Sequence, residues 1–385
     1  MKSDARMMVR TKSLNLSILT ALFVFFFPVC FSMAGSNRPL PPGDYIFNSK
    51  SGDYEPFYPD SERKVTDFVS DCDNSPGLQR NADQFEFIKT AIMGKDNRCP
   101  IEYGPGASNE DKAFYGTGVL FDYSGECRNL QGARCSGTAN LVIDGDIAIS
   151  AAHVFRDERS GRYVDGKGYQ FTIKVWVPPE LRLDPNQAYE PRWYEIEEVT
   201  YGSLNPNDFP TKDYAFIKLK ERAGKVVRKR TRDGKLVGKS VKVSDRYLVK
   251  PLPFKPLDQM KFKKNASIMG FHQDRGAVAQ KNCAPSRIMK SGKHGQEVLL
   301  FNGDMVSMSS GSAIAVPDED GNLTFAALNI GDVLPEGQTE FDQIDFDPNG
   351  RYNVALDGDS FFDEFLAFRR KYGRDPSFSE KVVQK

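Results

Sequence analysis

The chain has 385 residues, 52 Lys and Arg against 52 Asp and Glu, and 39% hydrophobic residues including 28 Phe. That apolar share excludes a wholly disordered protein, and the length gives room for two to three domain-sized units. A net charge of zero argues against a surface built to coat nucleic acid. Only three histidines (His153, His272, His294) and the absence of CxxC and HExxH argue against a zinc centre, so no metal and no cofactor is expected.

Residues 1–34 open with Lys2, Arg6, Arg10 and Lys12, followed by an apolar run from Leu14 to Phe31 and the small-residue ending Ser32-Met33-Ala34. A positive start, an apolar stretch and small residues at the end form an export signal, cut after Ala34. The other reading is an uncleaved anchor, since the run nearly spans a bilayer. Pro28 and the Ser-Met-Ala ending suit the signal better. The protein is then periplasmic or extracellular, with no stable membrane span after signal removal. Export implies an oxidising compartment, where cysteines pair. Beyond the signal lie Cys72, Cys99, Cys127, Cys135 and Cys283, an odd number. Cys127 and Cys135 flank a short loop between strand-like runs and form the favoured bridge. Cys72–Cys99 is the second choice, leaving Cys283 single.

Residues 35–110, rich in Pro, Gly, Asp and Asn, read as an N-terminal arm or a removable pro-segment with one helical stretch around Asp83–Met93. From Gly116 onward the texture changes. Short apolar runs (GVLF, NLVI, IAIS, FTIKVWV, YAFIKL, SIMGF, EVLLF, SAIAV, FAALNI) separated by turn residues predict a mainly β body. Asp318-Glu319-Asp320-Gly321 reads as a hairpin turn. The stretch from Asp345 begins like a calcium loop, but Leu356 stands where Glu is needed, so a turn is expected. Asp359-Ser360 caps a C-terminal helix within 358–385 that presents Phe361, Phe365 and Phe368 and stops at Gly373. Between Lys218 and Lys264 lie 17 Lys/Arg and 4 Asp/Glu. The basic tip at 221–243 reads as a hairpin insertion, either solvated or able to contact an anionic surface. No aromatic residues interleave there, so no specific nucleic acid is expected. His272 and His294 lack partners at ligand spacing and are expected at the surface.

Three stretches carry chemistry: His153 after the apolar strand and two alanines, Asp213 directly before the run Tyr214-Ala215-Phe216-Ile217-Lys218-Leu219, and Ser310 in Met308-Ser309-Ser310-Gly311-Ser312. A serine hydroxyl needs an adjacent base to act as a nucleophile, and a base needs an orienting acid. The order His, Asp, Ser resembles the chymotrypsin/trypsin-like serine peptidases, nearest the exported bacterial branch of glutamyl endopeptidases. The matching residues are Ala151-Ala152-His153, Asp213–Leu219, Ser310-Gly311-Ser312, the opening strand Gly116–Leu120 and the pair Gly270-Phe271. The likeness covers about 114–356.

The resemblance implies a double six-stranded β-barrel: a first barrel at 111–248 and a second at 249–357, with Val249–Leu252 linking them. It implies an exported serine endopeptidase acting on polypeptides through an acyl-enzyme. His153 would be the base, Asp213 its orienter and Ser310 the nucleophile. The N–H groups of Met308 and Ser310 would form the oxyanion hole. Asp304 would lie in the primary specificity pocket, and Leu328, Asn329 and Gly331 would line the substrate strand. The sequence departs from the family at Met308, where glycine is usual because the chain must turn with positive φ. The alternatives are a catalytically impaired relative that keeps the fold as a binding module, and an unrelated exported β-sandwich.

Overall fold

The computed structural model describes residues 45–48, 53–56, 86–88, 96, 98–130, 132–182, 184, 186, 188–225, 248–257, 266–273, 276–283, 288–291, 297–334 and 352–374. Residues 1–34, the tip of the basic insertion, the calcium-like stretch from Asp345, His294 and Cys72 lie outside them. Among the described residues, no helix is long and apolar enough to cross a membrane.

The arm supplies β1 (Tyr45–Asn48) and β2 (Asp53–Pro56), which pair with each other, then β3 (Glu86–Ile88) and β4 (Cys99–Pro100). The helix expected around Asp83–Met93 is corrected here: its centre is β3, because an open strand edge of the body offers it backbone partners. A short helix, α1 (Asn109–Ala113), is capped by Ser108, whose Oγ accepts from the Asp111 N–H at 3.0 Å.

Six strands then form a closed antiparallel barrel: β5 (Thr117–Asp122), β6 (Ser136–Leu141), β7 (Ile147–Ser150), β8 (Tyr169–Trp176), β9 (Tyr189–Tyr201) and β10 (Ala215–Leu219). In β8 the period-two pattern is plain: Tyr169, Phe171, Ile173 and Val175 are buried, and the residues between them are half-buried. Closure leaves no free edge and gathers these side chains into one core. The β5–β6 connection is stapled by the Cys127–Cys135 disulfide, with Cα atoms 5.4 Å apart. At the root of the basic insertion, the Leu248 N–H donates to the Gly224 carbonyl at 2.8 Å, so the chain leaves and returns at one point.

The linker fastens the barrel to a second sheet. The Leu252 N–H donates to the Leu141 carbonyl at 2.9 Å, and the Phe325 N–H donates to the Pro253 carbonyl at 2.8 Å. This second sheet contains β11 (Ala266–His272), β12 (Gly276–Cys283), β13 (Ile288–Lys290), β14 (Val298–Phe301), β15 (Ala313–Pro317), β16 (Leu323–Leu334) and β17 (Tyr352–Asp357). Its path is β13-β14-β17-β16-β15-β11-β12-β4, with β3 added to β16. Asp318–Gly321 makes the β15–β16 hairpin turn as expected, with Gly321 at φ 80°.

Ranked along the chain, neighbours in the barrel run 1-2-3-6-5-4 around the circle. The second sheet keeps the same neighbours, 3-6-5-4-1-2, when β13 and β14 share one rank. Among the described residues no ladder joins its ranks 2 and 3, so it is described as a sheet.

The C-terminal helix α2 (Phe362–Lys371) follows a 3₁₀ turn capped by Asp357, whose carboxylate accepts from Asp359; the cap lies two residues before the one expected. Phe361, Phe365 and Phe368 pack on Phe216 of β10, while Phe361 and Phe365 also meet Phe254 of the linker. The helix thus binds barrel and linker together. His272 corrects its expected surface position: it is 2% exposed, and the Arg98 guanidinium donates to its Nδ1 at 2.8 Å. Arg98 in turn pairs with Asp96 at 2.9 Å, so the arm anchors on β11.

Candidate active site

Register brings the first two residues together. β10 pairs with β7 antiparallel, with Ala215 opposite Ser150. Two residues further on, Asp213 therefore lies opposite Ala152, beside His153, although the two are 60 positions apart. The Asp213 carboxylate takes both of the histidine's near-side donors. Oδ1 accepts the His153 backbone N–H at 2.8 Å, and Oδ2 meets the ring Nδ1 at 2.6 Å. The Asp213 side chain is 2% exposed and that of His153 27%, so the acid is enclosed while the far edge of the ring reaches solvent. A carboxylate accepts only, so Nδ1 carries the proton of this bond and Nε2 is the ring's other nitrogen. Behind Asp213, Tyr214 stacks on Phe361 with centroids 4.7 Å apart, so the C-terminal helix backs the strand that presents the acid. Burial, then the charge of Asp213, pushes the Tyr163 hydroxyl up from its ordinary pKa and keeps it neutral beside the site.

Ser310 arrives from the second sheet on the tight turn before β15. Its carbonyl accepts the Thr138 N–H at 2.8 Å, and the Met308 carbonyl accepts the Thr138 hydroxyl at 2.9 Å. The Asn140 amide donates to the Gly311 carbonyl at 2.7 Å. Strand β6 therefore docks the whole turn, and its neighbour β7 leads into His153. Gly311 must be glycine: φ is 91°, and a Cβ would stand 2.0 Å from the Thr138 carbonyl. Gly137 serves the same approach, since a Cβ there would meet Val154 at 2.5 Å and the Ser310 carbonyl at 3.0 Å. Within the turn, the Ser309 N–H is bonded to the Val306 carbonyl, the Gly311 N–H to the Asn329 carbonyl and the Ser312 N–H to the Ser309 carbonyl. Among the described residues, the N–H and hydroxyl of Ser310 have no such partner.

Met308 adopts φ 75°, the left-handed region that glycine enters most readily. Its side chain is buried against Phe121 of β5 and Ala133 of the β5–β6 connection. Asp304, 1% exposed, is anchored by its N–H, which donates to Gln280 Oε1 at 2.7 Å. Leu328 pairs with Ala313 on one side and Leu356 on the other, and the Asn329 backbone bonds Ser312 and Gly311. Both therefore support the turn, and the Asn329 amide also donates to the Ser309 carbonyl at 3.1 Å. Gly331 pairs with Val354 of β17.

Sequence reasoning missed Thr138 and Asn140. Their signal was present: polar residues at alternate positions of a strand, each 0% exposed. Buried polar side chains with that spacing face a partner that needs hydrogen bonds. No group of His, Cys, Asp and Glu among the described residues could hold a metal ion. Neither protein-family models nor curated proteins match the chain.

Proposed function

We propose that the protein is an exported serine endopeptidase of chymotrypsin-like architecture, with His153, Asp213 and Ser310 as its triad. The observation that carries this reading is the two-point grip of buried Asp213 on His153, beside the turn that presents Ser310. The repeated strand order favours a second barrel built like the first, with the site at their junction. Free enzymes commonly lack a short serine–histidine bond, which tightens when substrate binds.

In this mechanism Ser310 Oγ attacks the peptide carbonyl while His153 Nε2 takes its proton. Asp213 keeps the ring in the required tautomer and stabilises the imidazolium. The carbonyl oxygen becomes an oxyanion facing the N–H groups of Met308 and Ser310, each worth ~3–4 kcal/mol in the transition state. His153 returns the proton to the leaving amine, and water then releases the acyl group by the same route reversed. Asp304 would floor the pocket for the residue before the cut bond, and the linker's apposition to both sheets fits a boundary near residue 249. The export signal at 1–34 and the disulfide fit an oxidising compartment.

A fluorophosphonate probe tests the proposal. The protein without its first 34 residues should label covalently, and Ser310→Ala should abolish labelling. An unlabelled wild-type protein would favour a peptidase-like binding module.

A further inference from the structure

One edge of β16 changes partner along its length. As far as Leu328 it is paired by β15, and the Asn329 backbone closes that ladder on Ser312 and Gly311. Past Gly331 the strand continues, with β17 holding the opposite edge through Asp332↔Asn353 and Val333↔Tyr352. The edge that β15 has left is taken by β3 of the arm, antiparallel, with Asp332↔Ile88, Val333↔Phe87 and Leu334↔Glu86. A strand in that position and direction runs from Leu334 towards Asn329, and Asn329 is bonded to the residues that follow Ser310. It approaches the serine turn with its N-terminal end leading away.

The strand that the resemblance assigns to substrate runs on into Asp332–Leu334, and we infer that Glu86–Ile88 of the same chain is the resident occupant of its free edge, a tethered strand that holds this edge closed to extended polypeptide. The inference rests on the proposed peptidase reading, whereas the strand pairing is independent of it. Two strands cannot share one edge, because each N–H and C=O serves a single ladder. The arm and an incoming polypeptide therefore exclude one another. A tethered strand acts at an effective concentration on the order of millimolar, so three residues suffice to compete. Main-chain pairing reads few side chains, which lets the edge accept many sequences once the arm is displaced.

The test uses proline, which has no N–H to give. In an antiparallel ladder the N–H groups of adjacent residues point to opposite sides, so either Phe87→Pro or Ile88→Pro removes a bonded donor and the other does not. One of the two variants should raise kcat/KM on an extended peptide substrate by about tenfold, well above its partner. The labelling rate with fluorophosphonate, which carries no peptide chain, should stay at the wild-type value in both and so reports an intact fold. A synthetic peptide of residues 83–91 should then inhibit the activated variant competitively. Equal kcat/KM in wild type and both variants would overturn the inference while leaving Ser310 chemistry intact. Should Ser310 fail to label, binding of the fluorescent 83–91 peptide decides: tighter binding to one proline variant than to wild type supports the edge, and equal binding rejects it.

Discussion

At the scale of single residues, Met308 is the most informative position. A non-glycine side chain at φ 75° costs about 1–2 kcal/mol of backbone strain. Its side chain, 7% exposed and packed on Phe121 and Ala133, contributes a comparable or larger gain from burial, roughly 1.5–3 kcal/mol. Methionine suits the task because it is unbranched and adapts to an irregular gap. Met308→Gly should therefore keep the turn and the labelling of Ser310, yet lower stability by about 1–2 kcal/mol in chemical denaturation, the lost contacts outweighing the relieved strain. Met308→Val, β-branched at positive φ, should slow labelling by more than tenfold. A stability gain in the glycine variant would show that the side chain contributes nothing.

At the scale of elements, the C-terminal helix is fastened by groups that titrate. Glu198 of β9 accepts from Lys371 and from the Tyr372 hydroxyl, the latter at 2.7 Å. These bonds, Lys371 foremost, hold its carboxyl below the usual range, and burial with the bond to Glu198 pushes Tyr372 up. Because the folded value is the lower one, the contribution is full above the unfolded glutamate's pKa of about 4.3 and is lost as pH falls through the folded pKa. Solvent reaches both ion-pair partners, so the gain is less than about 1 kcal/mol. Glu198→Gln should lower stability slightly at neutral pH and flatten the acid limb of the stability curve below about pH 4.3, by thermal melts across pH. An acid limb as steep as that of wild type would assign the loss to other carboxylates.

At the scale of the whole molecule, one hydroxyl joins the barrel to both parts of the second sheet that build the site. Thr138 Oγ1 donates to the Met308 carbonyl and accepts the Phe271 N–H, each at 2.9 Å. Thr138→Val keeps the shape and takes a hydrogen-bond partner from each backbone group, which should cost about 1–3 kcal/mol and slow Ser310 labelling. Thr138→Ser restores the hydroxyl and should recover most of the labelling rate. Equal labelling in all three proteins would mean that the Thr138 hydroxyl does not hold the turn.

Legibility in the sequence also divides at this scale. The barrel strands, the Cys127–Cys135 bridge, the Asp318–Gly321 turn and the aromatic C-terminal helix are written in local pattern: alternation, spacing and punctuation. The nearness of His153 to Asp213 was expected from a resemblance in order and motif, and its geometry depends on a register between β7 and β10 that no local signal fixes. Thr138 and Asn140 escaped notice because their partners in the serine turn lie about 170 residues away. Residues 83–93 misled for the opposite reason. Their apolar content fits a helix in isolation, and β3 forms only where β16 offers an edge to complete.

The bond between Gly224 and Leu248 has a consequence for how such a protein can vary. A detour whose two feet are clasped together asks nothing of the barrel, whatever its extent, because closure entropy grows only with the logarithm of loop length. The positively charged excursion at this site can lengthen, shrink or be exchanged for a foreign module. Such an exchange would leave the barrel strands and the ladder between β7 and β10 as they are.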